Sequence, residues 1–283
     1  MRIGVVCSRV RVEEKLILAA LRERGVDAVR IDPRGLPLWV GGPGLEGLDA
    51  VLLRCVSHTE AFYVSRWLAG VGIPTVNRHP VVATCGDKFL TSMALAAAGL
   101  PQPHTALALS RQAAFQVLEG MGYPAVLKPV VGSWGRLVAL LSDRHAAEGV
   151  IEHKLTLGSY QHSALYLQEY VEKPGRDIRA LVAGHRLVYA VYRESDHWIT
   201  NTARGGRTKT CPVTPELSRL AVGAAQAVGG GLLAVDILET ADGRLLIGEV
   251  NHTPEFHGAM EAVDVDVPGA IADYVIELAK EGR

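Results

Sequence analysis

Residues 232–251 read LLAVDILETADGRLLIGEVN. Two apolar runs flank Ala241-Asp242-Gly243, and Asp-Gly between such runs is a strong signal for a two-residue hairpin turn. The turn then fixes the pairing. Counting outward from Asp242 and Gly243 sets Asp236 directly opposite Glu249. Opposed side chains stand roughly 4.5–5.5 Å apart at Cβ, where like charges repel. Asn251, two residues beyond Glu249, shares its face. Two carboxylates and an amide oxygen form a hard-oxygen set suited to magnesium, which completes its shell with water and substrate phosphates. Both acids interrupt apolar runs, which argues against a plain solvated face. Asp236, Glu249 and Asn251 are therefore candidate metal ligands.

Upstream, the periodicity predicts strands at 2–7, 26–31, 50–55 and 74–77 alternating with helices at 12–24 and 59–70. This is the pattern of a small parallel sheet with helices on both faces. No GxGxxG follows the first strand, so a dinucleotide fingerprint is missing. Thr84 and Asp87 resemble a capped start for a helix over 88–98, closed by Gly99 and Pro101. A strand near 104–109, a helix over 111–121 and strands at 124–129 and 137–141 follow. Further strands are predicted at 165–172, 178–183, 186–193, 232–239 and 244–250, with helices at 215–228 and 268–280. Residues 194–212 carry no periodicity and read as a long polar loop, a length uncommon unless functional. The class is α/β (α+β).

The composition is that of an ordinary globular chain: 283 residues, 48% hydrophobic and 21% charged. Lys+Arg 29 against Asp+Glu 30 gives a net charge of -1, which favours neither nucleic acid nor an anionic membrane as partner. The opening Met1–Cys7 run is too short for a signal segment, and no stretch approaches the roughly 20 apolar residues of a membrane span. Cys7, Cys55, Cys85 and Cys211 lack CxxC spacing, so a reducing, cytoplasmic setting is expected.

Lys128 ends an apolar strand and precedes the glycine-rich turn Val131-Gly132-Ser133-Trp134-Gly135-Arg136. Glycine lets backbone N–H groups turn toward phosphate oxygens, and a lysine beside them supplies a point charge. The turn lacks the GxxxxGK[ST] pattern and is not a P-loop. Lys88 opens a helix after Asp87. The strand-like Leu167–Glu172 leads into Asp177-Ile178-Arg179. Such an edge can offer a carbonyl and an N–H to adenine, and a neighbouring carboxylate can take ribose hydroxyls. Each of these pieces taken singly is equally compatible with ordinary surface structure.

Taken in order, Lys88, Lys128 with its glycine turn, Gln168-Glu169-Tyr170, Asp177-Ile178-Arg179, Arg193, Asn201–Gly206, Asp236 and Glu249-Val250-Asn251 resemble the ATP-grasp superfamily, in its branch of ribosomal-protein glutamate ligases. The stretches RCVSHTEAFYVSRWL, CGDKFLTSMALAAAGLPQP, VLKPVVGSWGRL, QEYVEKPGRDIR, HWITNTARGG and EVNHTPEF look like the carrier-protein ligases of lysine and arginine biosynthesis, LysX and ArgX. The resemblance covers essentially the whole chain.

It implies an ATP-grasp fold with an N-terminal Rossmann-like pre-ATP-grasp domain. The divisions would be 1–86, a central subdomain at 87–165 and a C-terminal subdomain with the metal site at 166–283. Lys88, Lys128, Gly132, Ser133, Trp134, Gly135 and Arg136 would hold the phosphates of ATP. Gln168, Glu169, Tyr170, Val171 and Glu172 would form the adenine hinge, with Asp177 near the ribose. Arg193 and Asn201 would sit near the transferring phosphate, and Asp236, Glu249 and Asn251 would hold Mg2+. Thr202, Arg204, Gly205 and Gly206 would meet the substrates, with Arg204 counted among the catalytic residues.

The implied reaction phosphorylates the C-terminal glutamate γ-carboxylate of a small acidic amino-group carrier protein of the LysW type, then joins it to the α-amino group of an acidic amino acid. Arg204, Arg207 and Lys209 would make a docking patch for that carrier. Phe256, Gly258 and Ala259 fall in the segment expected to select the amino acid. Gly258 fits the glutamate type and Ala259 neither type, so glutamate is favoured over α-aminoadipate. His197, His252 and His257 are candidates for a general base. A homo-oligomer, dimer or tetramer, is expected by analogy. Three alternatives stand beside this reading: glutamate addition to another protein, a peptide ligase joining two alanines, and a non-catalytic nucleotide-binding regulator.

Overall fold

The computed structural model describes residues 1–132, 135–158, 163–200 and 207–281. Strands β1 (Arg2–Val6), β2 (Asp27–Ile31), β3 (Ala50–Leu53) and β4 (Thr75–Val76) form an all-parallel sheet in the order β2-β1-β3-β4. Helices α1 (Val12–Glu23) and α2 (His58–Gly70) connect them. Burial on both faces explains the nearly continuous apolar strands. Val6, Val51 and Leu53 pack on Ala61, Val64 and Leu68 of α2. Ile3, Val5 and Leu52 share a core with Ile17 and Leu21 of α1.

Two helices follow, α3 (His79–Gly86) and α4 (Lys88–Ala97). Asp87 alone caps α4, its carboxylate accepting from the N–H groups of Phe89 and Leu90. Thr84 lies inside α3, so the Thr84–Asp87 pairing expected from the sequence is replaced by a single-residue cap.

A second sheet, all antiparallel, contains β5 (Thr105–Ala108), β6 (Ala125–Lys128), β7 (Ala139–Leu141) and β8 (Leu165–Glu169) in the order β5-β8-β6-β7. Helices α5 (Arg111–Met121) and α6 (Arg144–Leu157) cover it. The sequence reading has no α6, because its apolar stripe is reduced to Ala147 and Ile151. A capping carboxylate from Asp143 to the Ala146 N–H starts it instead.

The third sheet runs β11 (Arg207–Thr210), β10 (Arg186–Glu194), β9 (Arg176–Ala183), β12 (Leu232–Glu239) and β13 (Leu245–Asn251), all antiparallel. Strand β11 is a charged edge without an apolar residue, a composition that discourages further pairing and gives periodicity nothing to find. Helix α7 (Pro215–Ala227) seals one face, where Leu217 and Ala224 meet Ile178, Val182 and Val235. The last helix, α8 (Val267–Glu281), joins the other face to the parallel sheet. Its Ile271 and Val275 share one core with Ile3, Leu52, Leu181 and Leu232. Burying each such side chain contributes on the order of 1.5–3 kcal/mol.

The pairing of Asp236 with Glu249 occurs as the count predicts, though the route differs. Thr240 N–H donates to the Arg244 carbonyl, and Glu239 pairs with Leu245, so the turn is one residue longer than a two-residue loop. A bulge at Gly248 then restores the offset, so that Ile237 faces Ile247 and Asp236 faces Glu249. Among the described residues no helix is long and apolar enough to cross a membrane.

Candidate active site

The facing ends of the second and third sheets enclose a cleft. Lys128 closes β6 and its Nζ donates to Gln168 Oε1 at 2.6 Å. Gln168 is held in turn through Nε2 by the Thr105 and Tyr166 hydroxyls. Burial pushes the Lys128 ammonium down to about 8. Lys88 opens α4. Its Nζ donates to the Gly132 carbonyl at 2.7 Å and lies 3.1 Å from Glu249 Oε1, which ties the glycine turn to β13.

Deeper in the cleft a chain of alternating charges crosses the third sheet. Arg193 grips Asp177 through two hydrogen bonds of 2.7 Å and reaches Asp236 at 3.1 Å. Arg179 also donates to Asp236, at 2.9 and 3.3 Å. The Thr200 hydroxyl donates to Asp177, and Lys173 donates to Thr200 at 3.2 Å. Burial works against the charge on Arg193, yet Asp236 and Asp177 outweigh it and raise its pKa. Burial also opposes ionisation of Asp236, and the Arg179 and Arg193 guanidiniums reverse that, holding the carboxyl below its usual range. Buried ion pairs of this kind need all partners present, since an orphaned charge costs several kcal/mol.

One side of the cleft is apolar. Val126, Val138 and Leu238 line it together with Tyr170 and Trp198, whose ring centroids are 6.2 Å apart. A flat aromatic ligand fits between such walls, and the cations beyond suit a polyanionic tail.

The structure brings most of the residues selected from the sequence to this cleft: Lys88, Lys128, Gly132, Gly135, Arg136, Gln168, Glu169, Tyr170, Val171, Asp177, Arg193, Asp236 and Glu249 all line it. Strand β8 ends at Glu169, so Tyr170–Glu172 leave the sheet. Glu172 borders an adjoining depression instead of the cleft. Asp177, expected beside a ribose, has both carboxylate oxygens engaged by Arg193. Asn251 pairs with Ala234, two residues beyond Glu249 on β13, and is not among the residues that line the cleft. Phe256, expected to meet substrate, is 1% exposed and belongs to the core shared with α8. An apolar ring at that point gains more from packing than from contact with a polar ligand. Gly258 and Ala259 line a second cavity. Ser133, Trp134, Asn201, Thr202, Arg204, Gly205 and Gly206 lie outside the described residues.

Of the candidate bases, His252 is pushed down to about 4 by burial and shares a hydrogen bond with the Thr253 hydroxyl, so it is neutral and structural. His197 accepts from the Ile199 N–H. The His257 Nδ1 is 2.6 Å from the buried Glu13 carboxylate. In the basic patch, Arg207 is exposed, and Lys209 is exposed but paired with Glu194 at 2.6 Å.

Sequence reasoning missed Lys173 and Thr200, and quoted Arg179 in its motif without giving it a role. That role was findable, because Arg179 sits two residues beyond Asp177 on one strand and so shares its face.

Comparison with known proteins assigns a family to nearly the whole chain. Residues 85–275 match the RimK-like ATP-grasp domain, and residues 3–84 match the LysX preATP-grasp domain. The glutamate–LysW ligase ArgX of Sulfurisphaera tokodaii is 36% identical over 281 residues, covering 98% of this chain and 99% of that protein. The α-aminoadipate–LysW ligase LysX of Saccharolobus solfataricus is 31% identical over 273 residues, covering 96% and 99%. The crystal structure of a RimK domain ATP-grasp protein from Sphaerobacter thermophilus superposes with a TM-score of 0.83 at 30% identity, covering 98% and 100%.

Proposed function

From the premise that the chain belongs to the RimK-like ATP-grasp family and is a carboxylate–amine ligase, we propose that it joins glutamate to the C-terminal glutamate of a small acidic carrier protein of the LysW type. The observation that carries the reading is the meeting of Lys88, Lys128 and Arg193 with the opposed Asp236–Glu249 pair in one cleft that also has an apolar, ring-lined wall. Full-length similarity to ligases of both glutamate and α-aminoadipate supports the carrier, and Gly258 favours glutamate.

In this reading adenine lies against Val126, Val138 and Leu238, with the backbone at 169–171 leaving the sheet to meet its edge. Lys128 and Lys88 neutralise the phosphates. Gly132 and Gly135, with Ser133, Trp134 and Arg136, form the turn over them. The carrier's γ-carboxylate attacks the terminal phosphorus of ATP, ADP leaves, and an acyl phosphate forms. The amino nitrogen of the incoming amino acid then attacks the acyl carbon, phosphate leaves with the bonding pair, and one proton is released. Arg193 is placed to hold the charge that develops on the transferring group.

The donor set fits magnesium. Asp236 and Glu249 offer hard oxygens from opposed strands, Asn251 adds an amide oxygen, and substrate phosphates complete such a shell. Among the described residues no cluster of three His, Cys, Asp or Glu is disposed to hold a metal, and both Asp236 oxygens accept from Arg179 or Arg193, so ion binding would have to share or displace those guanidiniums. When bound, the ion would neutralise the phosphates and polarise the transferring group. The exposed Arg207, with Arg204 nearby in sequence, would attract an acidic carrier.

Intact-mass spectrometry tests the whole reading. The protein is mixed with a carrier ending in glutamate, ATP, magnesium, and glutamate or α-aminoadipate in separate tubes. A gain of one glutamate less water is expected. A gain only with α-aminoadipate would reassign the amino acid, and no gain with either would reject the carrier reaction.

A further inference from the structure

Register sorts the second sheet into two faces. Leu127, Leu165 and Leu167 lie in the core shared with α5 and α6. Lys128, Tyr166 and Gln168 alternate with them and take the other face. Thr105 pairs with Gln168 and joins that face. It is polar but not solvated: Tyr166 is 2% exposed, Gln168 3%, and Ser92 of α4, which meets them, 9%. Polar groups this deep need partners, and here they satisfy one another in a single chain.

The chain has a direction. An ammonium can only donate, so the Lys128 Nζ requires the Gln168 Oε1 that it meets at 2.6 Å. That contact orients the amide, whose Nε2 donates to the Thr105 hydroxyl at 3.2 Å and to the Tyr166 hydroxyl at 3.3 Å. The Thr105 hydroxyl donates in turn to the Pro103 carbonyl at 2.9 Å. The Tyr166 hydroxyl, having accepted from Gln168, is left to donate to the Ser92 Oγ at 2.9 Å. Ser92 stands four residues after Lys88 on α4, one turn on along the same helix face. The chain thus runs from one phosphate-facing lysine to the helix that carries the other. Its innermost partner also matters. Ammonium groups drawn out of water are usually matched by a carboxylate. Lys88 has Glu249 at 3.1 Å, whereas among the described residues Lys128 has the Gln168 carbonyl as its partner. A neutral acceptor fixes the ammonium without cancelling its charge, which stays available to a polyanion.

We infer that Tyr166 and Gln168 are positioning residues for nucleotide binding: the Tyr166 hydroxyl holds the Gln168 amide, and that amide aims the unneutralised Lys128 ammonium at the phosphates. The assignment rests on the ATP reading of the cleft. It moves the Gln168 side chain from the adenine hinge, where the resemblance put it, to the phosphate end, and leaves the hinge to the backbone at 169–171. Tyr166 is not among the residues that line the cleft, so its influence on a nucleotide has to pass through Gln168.

Two variants test this, Tyr166→Phe and Gln168→Glu. A nonhydrolysable ATP analogue is titrated calorimetrically, with magnesium, into each variant and the wild type. Adenosine, which has no phosphates, is followed in parallel by ligand-observed NMR. Loss of the Tyr166 hydroxyl should weaken binding of the ATP analogue about threefold to tenfold. Gln168→Glu keeps the shape of the side chain but supplies a carboxylate that pairs with Lys128, so the analogue should bind at least about tenfold more weakly. Adenosine should bind all three proteins equally. A distorted cleft, or a hinge role for the Gln168 side chain, would instead weaken adenosine and the analogue alike, and that result overturns the proposal. So does unchanged affinity for the analogue in either variant. A wild type that binds no analogue overturns it too, and withdraws the ATP reading with it, whereas the other two failures leave that reading standing.

Discussion

Asn77 offers the sharpest energetic test of how the N-terminal domain holds the active-site hairpin. It follows β4, is 2% exposed, and sends its side chain across to the third sheet. Nδ2 donates to the Leu232 carbonyl at 2.8 Å and to the His252 carbonyl at 2.7 Å, while Oδ1 accepts from the Leu232 N–H at 2.7 Å. One amide thus ties the start of β12 and the end of β13 to the parallel sheet. Gly231 makes room for it, since a Cβ there would lie 2.0 Å from Oδ1. Asn77→Ala removes three hydrogen bonds worth about 1 kcal/mol each, for a loss of about 3 kcal/mol, and more if the Leu232 N–H stays dry. Asn77→Asp keeps the acceptor but turns a carboxylate oxygen toward two carbonyls. It should destabilise at least as strongly at neutral pH, and recover partly as pH falls and protonation restores one donor. The measurement is urea unfolding followed by tryptophan fluorescence and circular dichroism at pH 7 and pH 5. Since His252 directly follows Asn251, turnover should also fall at temperatures where the variant is folded. An Asn77→Ala protein within about 0.5 kcal/mol of wild type, with normal turnover, would refute the clamp.

Three further outcomes are expected. Glu249→Gln should abolish turnover while changing stability by less than about 1 kcal/mol, because its part-exposed pairing with Lys88 contributes little; undiminished activity would sink the metal assignment. Lys128, pushed down to about 8 by burial, is charged below that pH and neutral above it, whereas bound phosphates favour the charged form. ATP affinity should therefore decline as pH rises through 8, with proton uptake on binding detectable by calorimetry in buffers of different ionisation heat; a flat profile from pH 7 to 9 without uptake would contradict this. Finally, Gly258→Asn with Ala259→Ser should shift preference from glutamate toward α-aminoadipate in the mass assay, and unchanged selectivity would locate specificity elsewhere.

What was legible in the sequence follows from where each signal originates. The parallel sheet and α7 announce themselves because a full apolar stripe must face a core. Helix α6 hides behind two buried residues, and β11 has no apolar residue at all. Lys88, Lys128 and Asp236 were readable as charges placed at the ends or in the middle of apolar runs. Lys173 was not, since a lysine in a loop looks like ordinary surface until its Nζ is found donating to the buried Thr200 hydroxyl. Phe256 misled in the opposite direction: its position in sequence is near the site, but its ring packs away from it. The Asp236–Glu249 pairing was correctly expected through two departures that cancel, a turn one residue longer than counted and a bulge that absorbs the difference.

That bulge divides β13 into two lengths of opposite phase. Ile247 and Val250 are the buried residues of the strand, three positions apart where an unbroken alternation would make them two or four. With strict alternation, the face that buries Ile247 would also have carried Glu249 into the core. The slip at Gly248 turns the carboxylate outward to the cleft, and the absence of a side chain there suits the crowding, for a Cβ would come within 3.2 Å of Leu238. The strand works as a phase shifter: both halves keep one residue, Ile247 or Val250, in the core beneath α7, and the shift between them leaves Glu249 free to face the reactants. Run through this joint in strict alternation, the same residues would keep their composition and chemistry yet exchange the inside and outside of the half that carries Glu249 and Asn251; deletion of Gly248 would instead close the bulge and leave Glu249 facing the cleft.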